Sequence, residues 1–423
     1  MSAIGGATPD NAPMVRPLPD VVVVGLGAAG SAVIRHLARR GASVVGIDRF
    51  RPPHDRGSSH GATRITRLAI GEGHEYVPLV QRSHALWRGL EAETGAHLMQ
   101  TMGGLVIAAP ESAAATFHGR RGFFECTVDA AERFGIAHER LDGAEIARRW
   151  PAFRPRGDER GYLEPEAGIL RPEACVQAQL DLAVRDGAVL RLDETAHRIE
   201  LVGGRPSVVT DRGTVAAAHV VLAAGPWLPA FLPPAEAAHF AVHRQVLHWF
   251  HTDAPELYAP GRLPVFIWMH GACGEAFYGL PMADANAGVK VATEQAAATT
   301  TPDAVERRVS AAETAAMFDT HIRGRMQGLQ PTTVHDATCL YTSLPEGRFV
   351  VDRHPALDHV TVVSACSGHG FKHSAAIGEA VADTVLDRAP QIDLAAFSWT
   401  ALRRSLASET LPPPGFGRTP CAS

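Results

Sequence analysis

Lysine is nearly absent from this 423-residue chain. Of its 40 basic residues only Lys290 and Lys372 are lysine, and the rest are arginine. On a solvated surface the two cations are close to interchangeable, so arginine has taken those places. A lysine that survives sits where a planar guanidinium cannot serve, because an ammonium is a compact charge whose pKa responds to burial. Both lysines are therefore site candidates. Cysteine is scarce as well. Cys126, Cys175, Cys273, Cys339, Cys366 and Cys421 form no CxxC pair, which suggests neither a disulfide framework nor a zinc site. No apolar run reaches the ~18 residues of a membrane-spanning helix. Residues 1–17 are small and proline-rich with no apolar core, so they read as a disordered tail and not a signal peptide. Charge of one sign is not in excess. The net value of −5 leaves no footprint for nucleic acid or an anionic membrane. The expectation is a cytoplasmic protein, and the length exceeds what one hydrophobic core supports, so two domains are expected.

What is present begins at Val21-Val22-Val23-Val24, a run that reads as a buried strand. It ends in Gly25-Leu26-Gly27-Ala28-Ala29-Gly30, followed by Ser31 to Leu37 at helical period. Gly25 permits a tight turn, Gly27 lets backbone approach a pyrophosphate, and Gly30 lets helix and strand pack closely. The helix N-terminus then offers free N–H groups to phosphate. A second strand, Ser43 to Ile47, ends at Asp48, placed to accept a hydrogen bond from a ribose hydroxyl. These pieces together describe a dinucleotide site, with NAD(P) and FAD both open.

Further along, Arg64 and Arg67 share a face if their segment is helical, and two cations after a nucleotide fold suggest an anionic ligand. Helices are expected at 76–93, 120–134, 142–150, 173–186 and 303–326, and strands at 102–109 and 189–201. Val220 to Leu222 reads as a strand beside the first, its Ala223-Ala224-Gly225 turn leaning on the cofactor. Trp249, Trp268 and Phe277 are candidates for pocket walls, against the plainer reading that they are core. Cys339 and Tyr341 alternate onto one face of a strand. A last strand, Val360 to Ala365, runs into a glycine-bearing turn carrying Lys372. His369 and His373 have metal-ligand spacing, but no acid or cysteine nearby completes a site.

At this point the residues resemble the family of monomeric sarcosine oxidase and N-methyltryptophan oxidase, FAD-dependent amine oxidases. The similarity runs from about Val21 to Leu402. It is carried by Gly25-x-Gly27-x-x-Gly30, Ser59-His60-Gly61-x-Thr63-Arg64-Ile65-x-Arg67, Gly71-Glu72-Gly73-x-Glu75-Tyr76, Cys339-x-Tyr341-Thr342 and Ser367-Gly368-His369-Gly370-Phe371-Lys372. The resemblance implies an α/β (α+β overall) fold. A Rossmann-like FAD-binding domain would comprise 18–100, 165–235 and 340–402. A discontinuous second domain, on a mainly antiparallel sheet, would comprise 101–164 and 236–339, with 403–423 a flexible tail. It implies FAD joined covalently to Cys339, Lys290 held over the flavin to activate oxygen, and Arg67 with Lys372 clamping a substrate carboxylate. Arg64 and His60 match flavin-side residues, and Tyr278 and Tyr341 match tyrosines of the substrate cavity. Ser59, Thr63, Asp48, Ala28, Ala29, Ala224, Gly225, Trp227 and the turn of Gly368, His369, Gly370, Phe371 and Lys372 complete the expected cofactor contacts.

One departure is Glu294, four residues after Lys290, where sarcosine-type members carry histidine. It falls at the substrate cavity and is placed with the substrate-binding residues, where it could pair with a basic group. The activity implied is oxidation of N-methyl or other secondary α-amino acids by a monomer, with a small amine and O₂ as its partners. The products would be the demethylated amino acid, formaldehyde and hydrogen peroxide. Three alternatives stand beside it: an oxidase of a cyclic imino acid or biosynthetic imine, an NAD(P) dehydrogenase, and a flavoprotein subunit without activity of its own. The dehydrogenase accounts for residues 21–48 and for nothing at Cys339 or Lys372.

Overall fold

Residues 18–284 and 287–408 are described in a computed structural model. The expected tail at 1–17, the end of the expected tail beyond residue 408, and Cys421 lie outside the described residues. Strand Val21–Val24 is buried along its length and lies in the middle of a six-stranded sheet. The strand order is Val189–Arg191, Val44–Ile47, Val21–Val24, His219–Leu222, Val360–Ser364 and Val350–Arg353. All pairs are parallel except the last. Val22 pairs with Val220, and Val220 with Val360. Such β-branched runs, apolar on both faces, suit a parallel sheet covered on both sides. Helix Ala28–Arg39 packs on Ser374–Val385 and Pro172–Arg185. Gly378 makes the first contact close, since a Cβ there would lie 2.3 Å from that of Ala32. Because Val21–Val24 and Val360–Ser364 run parallel, the turns that follow them, at Gly25 and after Ala365, open at the same carboxyl end of the sheet, where ligands of such folds bind.

The second sheet has eight strands in the order Leu329–Ser343, Ala241–Thr252, Val289–Ala292, Ala276–Leu280, Val265–Met269, Gly104–Ala108, Arg160–Glu164 and Glu139–Asp142. Only the contact of Val265–Met269 with Gly104–Ala108 is parallel. Trp268 and Phe277 stack at 5.6 Å in the core of this sheet with Phe153 and Phe266. They are core residues and not pocket walls.

Several sequence expectations are corrected. Arg64–Thr66 is a strand paired with Gly168–Leu170, so Arg64 and Arg67 do not share a helical face. The helix expected over 303–326 begins only at Ala311, where Ser310 and Glu313 form a capping box. This reciprocal cap satisfies the first N–H groups and fixes the start. The preceding residues instead tie back to the nucleotide side. Asp303 pairs with Arg49 at 2.7 Å, and Arg307 donates to the carbonyls of Asp55 and Arg56. The helix expected from 120 begins at Phe123, because Arg120–Arg121 forms a hairpin with Thr116–Phe117. Helix Trp399–Ser408 runs into the stretch expected to be a flexible tail, and the Trp399 indole holds its start by donating to Arg353 O at 3.0 Å. Cys126, Cys175, Cys339 and Cys366 are free thiols, while Cys273 is disulfide-bonded.

Candidate active site

A cavity of about 520 Å³ runs along the edge where the two glycine turns open. One end is lined by Gly25, Gly27, Ala28, Ala29, Asp48, Ser59, Ala224, Gly225 and Trp227. The other is lined by Thr63, Arg64, Arg67, Tyr278, Lys290, Tyr341, Gly368, His369, Gly370, Phe371 and Lys372. The sequence-predicted residues are therefore brought together, with four exceptions. Gly30 lies in the helix–strand contact, where a Cβ would meet Gly25 O at 1.8 Å. His60, Cys339 and Glu294 are not among its lining residues, though Glu294 adjoins Gly368, which is.

The first end is a nucleotide cradle. Gly25 has φ +87°, and a Cβ there would sit 2.4 Å from Ala223 O, so only glycine makes this turn. Gly27 supplies no capping side chain to the helix start, and the Ser59 hydroxyl accepts from Ala28 N–H at 3.0 Å. Asp48 accepts from Leu26 N–H at 2.7 Å and Phe50 N–H at 2.8 Å. Each carboxylate oxygen keeps a further lone pair for a ribose hydroxyl. A long cavity with a helix start, an acid at the second strand end and bare backbone at its neck fits a dinucleotide.

The second end concentrates charge. Lys290, 2% exposed, donates to Gly61 O and Thr63 O, both at 2.7 Å, and lies 5.1 Å over the Trp249 ring. Burial, aided by Arg64, pushes its pKa well down. The Gly61 turn beneath it is held by Glu173, which accepts from Gly61 N–H at 2.6 Å. Arg64 itself donates to Thr63 O and Ser58 O. His60 is buried, with Nε2 lacking a partner, and burial brings its pKa to about 4. Burial likewise raises Tyr278 to about 12 and Tyr341 well above its ordinary value, so both are neutral phenols. Cys339 packs with Leu247, Trp249 and Ala292 next to these tyrosines. Burial pushes its thiol pKa up, and Arg64 and Lys290 pull against that.

Arg67 and Lys372 converge, but on a residue to which the sequence assigned no role. Glu72, 2% exposed, receives Arg67 Nη2 at 2.5 Å, with Lys372 Nζ at 3.8 Å. His118 Nδ1 lies at 3.5 Å and His369 Nδ1 at 3.8 Å, each without a hydrogen-bond partner. Burial opposes ionisation of Glu72, yet Arg67, Lys372 and the two imidazoles hold its pKa well below the carboxylate range. Burial lowers His369 well below its ordinary pKa, and its Nε2 meets Gly347 O at 2.9 Å. The signal for Glu72 was an acid between two glycines in a quoted motif, near two cations that needed a counter-ion once buried. His118 gave no signal. It occupies the hairpin turn in the left-handed region, φ +48°, which histidine tolerates better than most. No group of three side chains suited to a metal ion occurs among the described residues.

The family model described as FAD dependent oxidoreductase matches residues 20–384. The monomeric sarcosine oxidase of Streptomyces avermitilis is 39% identical over 377 residues, covering 88% of this chain and 94% of that protein. N-methyl-L-tryptophan oxidase of Yersinia pestis is 31% identical, covering 91% and 99%. Among solved structures, NikD, described as an unusual amino acid oxidase essential for nikkomycin biosynthesis, superposes with a TM-score of 0.77. The two are 23% identical, with 90% of this chain and 98% of that one covered.

Proposed function

The chain belongs to the family of FAD-dependent oxidoreductases, and on that premise we propose that it is an oxidase of N-methyl or other secondary α-amino acids. The observation that carries this reading is the placement of its only two lysines. Both are buried in the wall of one cavity, at the end away from the nucleotide cradle. The match to FAD-dependent proteins sets the nicotinamide alternative aside. FAD supplies the two-electron redox chemistry, and the protein supplies placement and charge.

The substrate carboxylate is held by Arg67 and Lys372. Once Glu72 has neutralised one of those cations, a single positive charge remains for it. Fixing the carboxylate orients the neighbouring C–N bond toward the flavin, and such positioning is a large part of the rate. Tyr278 and Tyr341, kept neutral, offer hydroxyls to the amine. The amine reacts as the free base, and for an N-methyl substrate the resulting imine is hydrolysed to the amino acid and formaldehyde. Lys290 serves the second half-reaction: anionic charge developing beside it offsets the burial that disfavours its ammonium, and the fixed cation stabilises charge passing to O₂. Arg64 holds the Thr63 and Ser58 carbonyls beside this centre, and His60 stays neutral behind it. Cys339 is the attachment point for the flavin on this reading, supported by its place next to Tyr278 and Tyr341, which line the cavity.

Residues 18–100, 165–235 and 340–402 form the FAD-binding domain, which supplies every strand of the six-stranded sheet. Residues 101–164 and 236–339 form the substrate domain. The enzyme acts as a monomer, as the name of the Streptomyces relative favours, and its proposed place is the cytoplasm. No helix among the described residues is long and apolar enough to cross a membrane.

The test is acid denaturation of the purified protein followed by a peroxide-release screen over N-methyl amino acids. Yellow colour should stay with the polypeptide and be lost to the supernatant in Cys339→Ser. Colour lost from the wild type refutes the covalent link. Absence of peroxide and of flavin reduction with every secondary amino acid refutes the oxidase reading.

A further inference from the structure

Glu294 takes no part in the chemistry above, yet its position is closely set. Thr293 Oγ1 donates to Ala276 O at 2.6 Å, and Gln295 exchanges two hydrogen bonds with the Gln245 amide, at 2.8 and 2.6 Å. A side chain between two such anchors is positioned as binding groups need to be. Its carboxylate stands beside Gly368 and Tyr341. A Cβ on Gly368 would lie 3.4 Å from Glu294 Oε1 and 2.9 Å from the Tyr341 ring. Among the described residues it forms one ion pair, to His118 Nε2 at 3.8 Å, too long for a hydrogen bond. The other nitrogen of that ring faces Glu72 and has no hydrogen-bond partner. One imidazole thus separates the carboxylate inside the clamp from a second one, which is 23% exposed.

We infer that Glu294 selects substrates carrying a second cationic nitrogen, a side-chain ammonium or guanidinium beyond the reacting amine. This deepens the oxidase reading and rests on it. Spacing decides between the two nitrogens. Only one carbon separates the reacting amine from the carboxylate held by Arg67 and Lys372. Glu294 is the width of an imidazole ring, with a contact on either side, away from Glu72, so the reacting amine does not span that distance and a side chain does. Charge agrees. Arg67, Lys372 and Glu72 together leave one positive charge, which the substrate carboxylate cancels. Glu294 leaves a negative charge across His118, and a distal cation cancels it. Exposure agrees too, since Glu72 is closed off at 2% while Glu294 is 23% exposed and adjoins Gly368 and Tyr341, which line the cavity. An acid with unused acceptor capacity rejects an uncharged chain, which cannot repay its desolvation.

The test is a matched pair: α-N-methyl-lysine and 2-(methylamino)heptanoate, in which a methyl group replaces the terminal ammonium. Anaerobic flavin reduction and peroxide release are followed for both. The wild type should favour the lysine derivative tenfold or more in kcat/KM, mostly through KM. Glu294→Gln should cut that ratio at least tenfold, and Glu294→Asp, which keeps the charge, should retain most of it. A wild-type ratio of one or less overturns the inference without need of a variant. So does an equal loss on both substrates in Glu294→Gln, which would place Glu294 at the shared amine. If neither compound nor any other secondary amino acid reduces the flavin, the oxidase reading itself has failed.

Discussion

If Lys372 holds the substrate carboxylate as proposed, the affinity for a carboxylate ligand should depend on pH. Burial pushes its pKa down to about 7, with the Glu72 carboxylate pulling up and the Arg67 guanidinium down. The other titratable neighbours are His369 and His373, both held neutral chiefly by burial, and His118 on the far side of Glu72. A carboxylate entering between Arg67 and Lys372 binds the ammonium and not the neutral amine. Above the pKa the protonated fraction falls tenfold per pH unit, and affinity falls with it. Two units above, near pH 9, the dissociation constant should be ~100-fold larger, a loss of about 2.7 kcal/mol. Methoxyacetate is the suitable probe, because it has the size of N-methylglycine and no amine of its own to titrate. Its binding is read from the flavin absorbance between about pH 6 and about pH 9. Lys372→Met should bind weakly at all these pH values, with a flat profile. A wild-type affinity constant over the range, or the same slope in Lys372→Met, refutes the reasoning. The sign for folding is separate. The unfolded chain keeps this proton up to the ordinary value of 10.5, so between about 7 and 10.5 it binds more protons than the folded one. The contribution of Lys372 to stability therefore rises with pH across that window.

Lys290→Met should slow reoxidation of reduced flavin by O₂ while largely sparing its reduction, measured by stopped flow; unchanged reoxidation would remove the oxygen role. The same change leaves Gly61 O and Thr63 O without their donor and should cost about 1–3 kcal/mol for each group left unpaired, read as a lower Tm. Glu72→Ala strands Arg67 and Lys372 as uncompensated buried cations and should lose about 3–5 kcal/mol in a denaturant titration; a loss below about 1 kcal/mol would show that the ion cluster carries little. Because the Glu72 pKa is held down in the folded state, its stabilisation is present above the unfolded carboxylate's 4.5 and fades as pH falls. Acid unfolding of Glu72→Gln should accordingly be less steep than that of the wild type.

The nucleotide half of the fold was legible because its signals are local. Four valines, a glycine turn and an acid at the next strand end lie within 28 residues and predict the observed pairing of Val21–Val24 with Val44–Ile47. The rarity of lysine pointed to Lys290 and Lys372 with no structural information, and both line the cavity. What failed was non-local. Trp268 and Phe277 look the same in sequence whether they line a pocket or fill a core, and only the partners across the eight-stranded sheet decide. The stretch before Ala311 has helix-forming residues, yet Asp303 and Arg307 are drawn into pairs some 250 residues away. Glu72 was visible in a motif, but its role appears only when Arg67 and Lys372 are brought to it. His118 could not be found at all, since its place depends on a two-residue hairpin and a strained turn.

The sheet that carries the cradle is assembled from three distant stretches, and the cavity is lined by residues as far apart as Gly25 and Lys372. A nascent chain therefore cannot hold its cofactor during most of its synthesis. The valine strand leaves the ribosome first and waits for Val360–Ser364 and the turn behind it to complete the site. Truncation before that turn should leave a chain without a flavin pocket, however much secondary structure it keeps. A cofactor held in this cavity would touch both the turn after Val21–Val24 and the turn after Val360–Ser364, so its binding free energy would add to the stability of the folded chain as a whole.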